Sequence, residues 1–327
     1  MVGRRILTVP GYVIAWFLWV ATAPVWLSLA GIVDVVRRNR GVALRSGVFL
    51  AYYLTCELLG IAISGGLWAW KRIFPVDAER WADLHYRLEA WWGTSVLSGI
   101  VRIFGIRLDV DDDADLGRGP YLLLVRHASS ADTLLASALV SRRHGTRLRY
   151  LMKRELLWDP CIDIVGNRLP NVFVDRHSDD PEREIRRVRE IACGLGPRDG
   201  LLTHPEGTRF SEEKRSRVLE RLHREGDAKM LDYARSLQFV LPPRPGGTLG
   251  LLDAAPHVDV VVCSHTGFEG AATLAQIWRG SLVRQKVRVH FRRISRDAIP
   301  REREDQLAWL LEEWRQVDAW VASQRAI

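Results

Sequence analysis

The residues in this 327-residue chain best suited to chemistry are His127 and Asp132, in the run Tyr121-Leu122-Leu123-Leu124-Val125-Arg126-His127-Ala128-Ser129-Ser130-Ala131-Asp132. A carboxylate that accepts from one imidazole nitrogen leaves the other free as a general base and stabilises the imidazolium formed when the base takes a proton. Five helical residues turn through about 500°, so these side chains meet only if His127 lies in a turn and Asp132 opens the next helix. Of the nine histidines, His127 alone has an aspartate at this spacing. Taken alone, the spacing also suits a helix-capping aspartate beside a surface histidine.

Three further motifs follow apolar runs. Thr203-His204-Pro205-Glu206-Gly207-Thr208-Arg209-Phe210 combines a glycine that permits close backbone approach, an arginine fork for phosphate and a glutamate able to orient a hydroxyl or that arginine. Phe173-Val174-Asp175-Arg176 places a cation at another run's end, and Leu241-Pro242-Pro243-Arg244-Pro245-Gly246-Gly247-Thr248 is a rigid arginine-bearing loop. Each alone could be an ordinary turn; together, each at the end of an apolar run, they point to one site.

The elements that must position these residues alternate. Strand-like runs are predicted at Tyr121–Val125, Leu148–Met152, Asn171–Val174, Gly200–Thr203, Val258–Cys263 and Val287–Phe291. Helical segments lie between most of them, at Thr133–Arg143, Pro181–Cys193, Glu212–Arg224 and Ala228–Ser236, and Glu302–Ala326 closes the chain as a packing helix. Such alternation implies an α/β domain with a mostly parallel sheet covered by helices, in which ligands bind beyond the C-terminal strand ends. Asp111-Asp112-Asp113 reads as an acidic turn opening this domain, residues 111–327.

The preceding residues differ in character, holding eight of the thirteen tryptophans. Ile6 to Val33 contains no Asp, Glu, Lys or Arg, and Val48 to Trp70 carries Glu57 as its only charge. Both stretches exceed the roughly 20 residues that cross a bilayer, and residues 1–73 read as a membrane-anchoring two-helix hairpin. Pro10, Gly11, Pro24 and Gly31 would kink its first helix, so a shallow hairpin that does not span is also open. Arg4, Arg5, Lys71 and Arg72 balance Arg37, Arg38, Arg40 and Arg45, leaving orientation undecided by charge. Ala21-Thr22-Ala23 resembles a signal-cleavage site, yet apolar sequence continues past Pro24. Residues 74–110 form an amphipathic interfacial helix and linker, the alternative being a helix that covers the soluble core.

The net charge of +8 comes from a chain with 47 Lys and Arg, of which 42 are Arg, suiting an anionic partner. Four scattered cysteines indicate neither a disulfide framework nor a zinc site, and suit a reducing compartment. There is no G-x-S-x-G elbow of a serine hydrolase and no phosphate-binding G-x-x-x-x-G-K-[ST] loop. No nucleic-acid-binding module is apparent, and anionic lipid accounts for the charge.

The four motifs, over roughly residues 100 to 300, resemble the blocks of the lysophospholipid acyltransferase family, N-H-x-x-x-x-D, a G-x-x-F-x-x-R type strand, F-P-E-G-T-R and a Pro-rich loop. Met152-Lys153-Arg154-Glu155-Leu156-Leu157 and Arg292-Arg293-Ile294 look most like the branch containing lysophosphatidate and lysocardiolipin acyltransferases. The resemblance implies that His127 is the general base and Asp132 its orienting partner. It further implies that Glu206, Gly207, Thr208 and Arg209 form the acceptor site, with Arg176, Lys153 and, in the Pro-rich loop, Arg244 as further contacts. The activity implied is transfer of an acyl chain from acyl-CoA or acyl carrier protein to a lysophospholipid hydroxyl, foremost 1-acyl-sn-glycerol-3-phosphate giving phosphatidic acid. No metal and no cofactor beyond that co-substrate is expected, and the catalytic domain is expected on the cytoplasmic membrane face among phospholipids. A coenzyme-A-independent transacylase, and a lipid-binding protein without catalysis, are the alternatives. Three positions depart from the family pattern: Arg126 replaces Asn, His204 replaces Phe and Pro170 stands where Gly is expected.

Overall fold

The computed structural model describes residues 2–112, 114–175, 180–271 and 274–325. Four long helices come first: α1 (Val2–Ala21), α2 (Ala23–Arg37), α3 (Val42–Ile73) and α4 (Ala78–Phe104). The chain then alternates through β1 (Arg107–Asp112), β2 (Tyr121–Val125), α5 (Asp132–Ala136), β3 (Arg147–Lys153), α6 (Pro160–Gly166), β4 (Val172–Val174), α7 (Pro181–Ala192) and β5 (Asp199–Thr203). It ends with α8 (Glu212–Glu225), α9 (Ala228–Ser236), α10 (Pro245–Ala254), β6 (Asp259–Thr266), α11 (Leu274–Trp278), β7 (Lys286–Ile294) and α12 (Arg303–Arg325).

The strands form one seven-stranded sheet in the order β1-β7-β6-β2-β5-β3-β4. Every neighbouring pair is parallel except β6 and β7, which are antiparallel. Alternate residues of β2 serve opposite faces, as the two-residue period of a strand requires. Tyr121, Leu123 and Val125 join Val96, Leu97, Ile100 and Phe104 of α4 in one core, while Leu122 and Leu124 join Leu310, Trp314 and Val317 of α12 in the other. This mixed, mainly parallel sheet between helical layers is the expected α/β class.

Two readings of the sequence are corrected. Asp111 and Asp112 lie in β1 rather than in a turn, and Asp113 lies outside the described residues; among those described, β1 pairs only with β7, and its residues alternate between exposed and half-buried, so carboxylates are tolerated there. Residues Ala78–Phe104 cover the core instead of lying free at an interface, for Leu88, Val96, Leu97, Ile100 and Phe104 are all buried. Asp77 caps this helix by accepting from the Arg80 amide at 2.8 Å, and Gly105 ends it in a left-handed conformation, φ 68°.

The apolar N-terminal stretch is two helices, α1 and α2, bent by 69° about Thr22, with Pro24 just inside α2. Pro10 lies within α1 without ending it. Of the described residues, α3 alone is a single helix long and apolar enough to cross a membrane, and the bent pair passes the same test if counted as one span. Yet α3 is docked on the rest of the protein near both ends. Arg45 donates to the Ile103 carbonyl, Tyr52 donates to the Ser95 carbonyl at 3.0 Å, and Arg168 donates to the Ser64 carbonyl at 3.0 Å. The helices approach closely because small residues line the seam: a Cβ on Gly99 would fall 2.3 Å from the Tyr52 ring, and one on Gly60 would fall 2.6 Å from Cys161 Sγ.

Gly99→Val should therefore prise α3 from α4 and destabilise the protein by about 1–3 kcal/mol. Gly65→Ala, on α3 with open space around it, should not. Thermal unfolding in detergent checks both, and equal midpoints for the two variants would refute the seam.

Candidate active site

Asp132 is the first residue of α5 and is fully buried. Its Oδ2 accepts from the backbone amides of Ala128 (2.7 Å) and Ser129 (2.8 Å), and its Oδ1 accepts from the Ser129 hydroxyl at 2.8 Å. These bonds fold residues 127–132 into a turn over the carboxylate and bring His127 Nδ1 to 3.0 Å from Oδ2. The turn rather than a helix thus closes the five-residue gap. Burial alone would raise the Asp132 carboxyl, but His265, the hydrogen bond from His127 and the His127 charge outweigh it and hold the group ionised well below the usual carboxylate range. With Nδ1–H donated to Asp132, Nε2 of His127 is its remaining nitrogen, and the ring lines a cavity.

The turn is held from beneath. Glu206 accepts from the His127 amide at 2.8 Å through one oxygen and from the Leu241 amide at 2.9 Å through the other, tying the histidine turn to the Pro-rich loop. Burial pushes the Glu206 carboxyl up to about 8, against the pull of these two amides and Arg126. Arg126 is wholly buried and donates to the carbonyls of His265 (2.7 Å) and Phe239 (2.8 Å) and to Glu269 at 2.7 Å. His265 Nε2–H donates to the Arg126 carbonyl at 2.9 Å and stands 3.5 Å from Asp132 Oδ1. The ring of His204 stacks on that of His127, centroids 4.0 Å apart and planes 17° from parallel.

The cavity, of about 600 Å³, runs from His127 past β3 to α4 and α6, and its wall is mostly apolar, including Trp92, Val96, Leu134, Met152 and Val165. Its volume lies within the range of small-molecule sites. Arg209, Lys153 and Arg244 line it, so three of the expected cations converge there. Arg209 donates to the Ser130 hydroxyl at 2.8 Å. Gly207 takes φ +67°, and a Cβ there would fall 2.9 Å from the Arg244 side chain, so glycine is needed both for the turn and for the arginine.

Not every expected residue reaches the cavity. Glu206 and Thr208 are outside its wall: both oxygens of Glu206 face backbone amides, and the Thr208 hydroxyl accepts from Lys214 Nζ at 2.9 Å. Here both brace the loops beneath the cavity wall. Arg176 lies outside the described residues. Two participants were missed. His265 is the penultimate residue of β6, where the predicted strand stopped at Cys263, and its place beside Asp132 needs the β2–β6 pairing. Glu269 is far from Arg126 in sequence and carries no local motif; a fully buried arginine demanding a counter-charge was the available signal.

Residues 107–244 match the acyltransferase family model. The chain is 24% identical over 277 residues to the 1-acyl-sn-glycerol-3-phosphate acyltransferase epsilon of Mus musculus, covering 80% of this chain and 75% of that protein. It is 21% identical over 250 residues to lysocardiolipin acyltransferase 1 of Mus musculus, covering 75% and 64%. In structure it is similar to the 1-acyl-sn-glycerophosphate acyltransferase PlsC of Thermotoga maritima, with a TM-score of 0.56, 15% identity, and 88% and 98% of the two chains covered. Together these matches support the lysophospholipid acyltransferase family. The protein is an O-acyltransferase.

In this acyltransferase the Arg126–Glu269 pair should register in acid stability. Burial would raise the Glu269 carboxyl, but Arg126 outweighs it and holds the group down at about 2. A depressed carboxyl contributes stability above its unfolded value of about 4.3, and loses it as pH falls through the folded one. Glu269→Gln should cost on the order of 2–3 kcal/mol at neutral pH, and the gap from wild type should close between about pH 4 and pH 2. Denaturant unfolding across that range is the check; a gap independent of pH would count against the pair.

Proposed function

We propose that this acyltransferase moves an acyl chain from a thioester, acyl-CoA or acyl carrier protein, to the free hydroxyl of a lysophospholipid, foremost 1-acyl-sn-glycerol-3-phosphate, giving phosphatidic acid. The observation that carries the reading is the His127–Asp132 pair at 3.0 Å, opening on a cavity whose wall holds three cations and is otherwise mostly apolar. The acceptor hydroxyl gives its proton to His127 Nε2 as its oxygen attacks the thioester carbonyl. The resulting imidazolium is stabilised by ionised Asp132. The tetrahedral intermediate collapses, the carbon–sulfur bond breaks, and the thiolate leaves with the proton from His127. A thioester is already activated, so no covalent enzyme intermediate is needed. Arg209, Lys153 and Arg244 supply charge for a phosphate, and the wall between Leu134 and Val165 suits an acyl chain.

The same proposal places the protein on a membrane, with the catalytic domain on the cytoplasmic face. The arrangement of α3 favours lying in the interface over spanning it. This helix, about 48 Å long at 1.5 Å per residue, makes contacts to the catalytic domain from Val42 to Ser64, which a helix threading a bilayer away from that domain could not keep. The exposed apolar residues Ile14, Phe17, Leu18, Leu29, Ile32 and Val36 of α1 and α2 give the face that would enter lipid.

Thiol release from acyl-CoA by purified protein in liposomes, with and without lysophosphatidate, tests the chemistry. Release should require the acceptor and should fall about 10²–10⁴-fold in His127→Ala without loss of vesicle binding. Arg209→Ala should chiefly raise the acceptor KM. Release independent of His127 would overturn the assignment of the base. For the anchor, Phe17→Glu with Leu18→Glu should weaken co-sedimentation with vesicles; undiminished binding would remove α1 from the membrane face.

A further inference from the structure

His204 occupies a position whose chemistry the reaction scheme above leaves unused. Its Nδ1–H donates to the Val125 carbonyl at 3.0 Å, which makes Nε2 the lone-pair nitrogen. That nitrogen has no hydrogen-bond partner among the described residues, and it is not among the buried atoms lacking one, because the ring opens onto the same cavity as His127. The two rings lie face to face, 4.0 Å between centroids, so any group held by His204 is next to the reacting carbonyl. Burial, followed by the neighbouring His127, pushes the His204 imidazole down to about 3, so at neutral pH it is an acceptor and not an acid. An acceptor that opens onto the cavity loses its contact with water when substrate fills that space and then needs a donor from the substrate, whereas an apolar ring would provide the stacking platform without that need.

The substrates offer few donors at that distance. The acceptor in the proposed reaction has one hydroxyl, and His127 takes its proton. The cationic side chains of the site supply the phosphate end. A carrier thioester, whether on coenzyme A or on a carrier protein, bears an amide N–H two carbons from the sulfur. We infer that His204 is a specificity residue whose Nε2 accepts a hydrogen bond from this amide of the thiol carrier, fixing the thioester beside His127. The inference rests on the thioester-donor reading. It assigns to His204 the recognition of the carrier arm, a feature shared by both donor types, while leaving bond making and breaking to His127.

The test uses two small thioesters with the same acyl chain: the N-acetylcysteamine thioester, which keeps the amide, and its ester isostere, in which oxygen replaces the N–H. Thiol release in the presence of lysophosphatidate gives kcat/KM for each, and their ratio is the readout. Wild type should favour the amide by about three- to tenfold, and His204→Phe, which keeps an aromatic ring against His127, should bring the ratio to near one. A merely structural role for His204 would change both rates together and leave the ratio untouched. A wild-type ratio of one, or an unchanged ratio in His204→Phe, overturns the inference. Should the Phe variant release no thiol, His204→Gln and His204→Ala decide: the Gln variant, which offers an acceptor oxygen, must show the higher ratio, and equal ratios overturn it. If wild type releases thiol from neither compound nor from acyl-CoA, the thioester-donor reading fails and this inference falls with it; release without a ratio removes the inference alone.

Discussion

The buried carboxylate of Asp132 sets the geometry on which the site depends. Ionised and out of water, it needs donors on both oxygens, and two backbone amides, a hydroxyl and an imidazole supply them. Meeting that demand folds the 127–132 segment over α5 and sets the orientation of His127. The neighbouring carboxyl of Glu206 repeats the device one layer down, joining the amide of His127 to that of Leu241. Two acids thus convert three separate loops into one rigid surface. The hydroxyl proton transfer proposed here uses His127 alone, but the precision of that transfer derives from backbone amides that never meet substrate.

The sheet explains why these loops are neighbours. Because β2 lies between β5 and β6 and runs parallel to both, the chain leaves all three strands at the same end. His127, His204 and His265 follow or finish those three strands in turn. Arg126 uses the same arrangement: it leaves β2 beneath the site and finds the His265 carbonyl near the end of β6 and the Glu269 carboxylate just after it. A buried arginine is tolerable there because it spans elements that the hydrophobic sheet has already brought together.

Much of this was legible in the residues. The strand positions, the alternating helices and the turn needed between His127 and Asp132 all follow from local patterns. Three features did not. Strand β1 is an edge with half-exposed faces, so Asp111 and Asp112 could not be told from a turn by their polarity. Glu206 shares a motif with Arg209, yet one faces the scaffold and the other the cavity, a difference set by the loop's left-handed Gly207. His265 joins the site only through the long-range β2–β6 register, which no local spacing encodes. The amphipathic pattern of α4 was read correctly as one apolar face and one polar, but periodicity cannot say whether that face meets lipid or protein.

That ambiguity in α4 bears on how a lipid enzyme of this kind must be built. Helix α4 sends Trp92 and Val96 to the cavity and Gly99 to the seam with Tyr52 of α3, and Tyr53 of α3 lines the cavity as well, so the acyl-sized space is walled in part by one of the apolar N-terminal helices. Were α3 a free anchor on a flexible tether, membrane binding would hold the domain near lipid without orienting it. Docked along α4, and with Arg4 and Arg5 of α1 paired to the buried Asp163 of α6, the apolar helices are rigid with respect to the cavity. Insertion of α1 and α2 into lipid, as proposed above, would then present one fixed side of the catalytic domain to the membrane. An acyl chain partitions strongly into lipid, so orientation as well as proximity determines whether it can enter without crossing water.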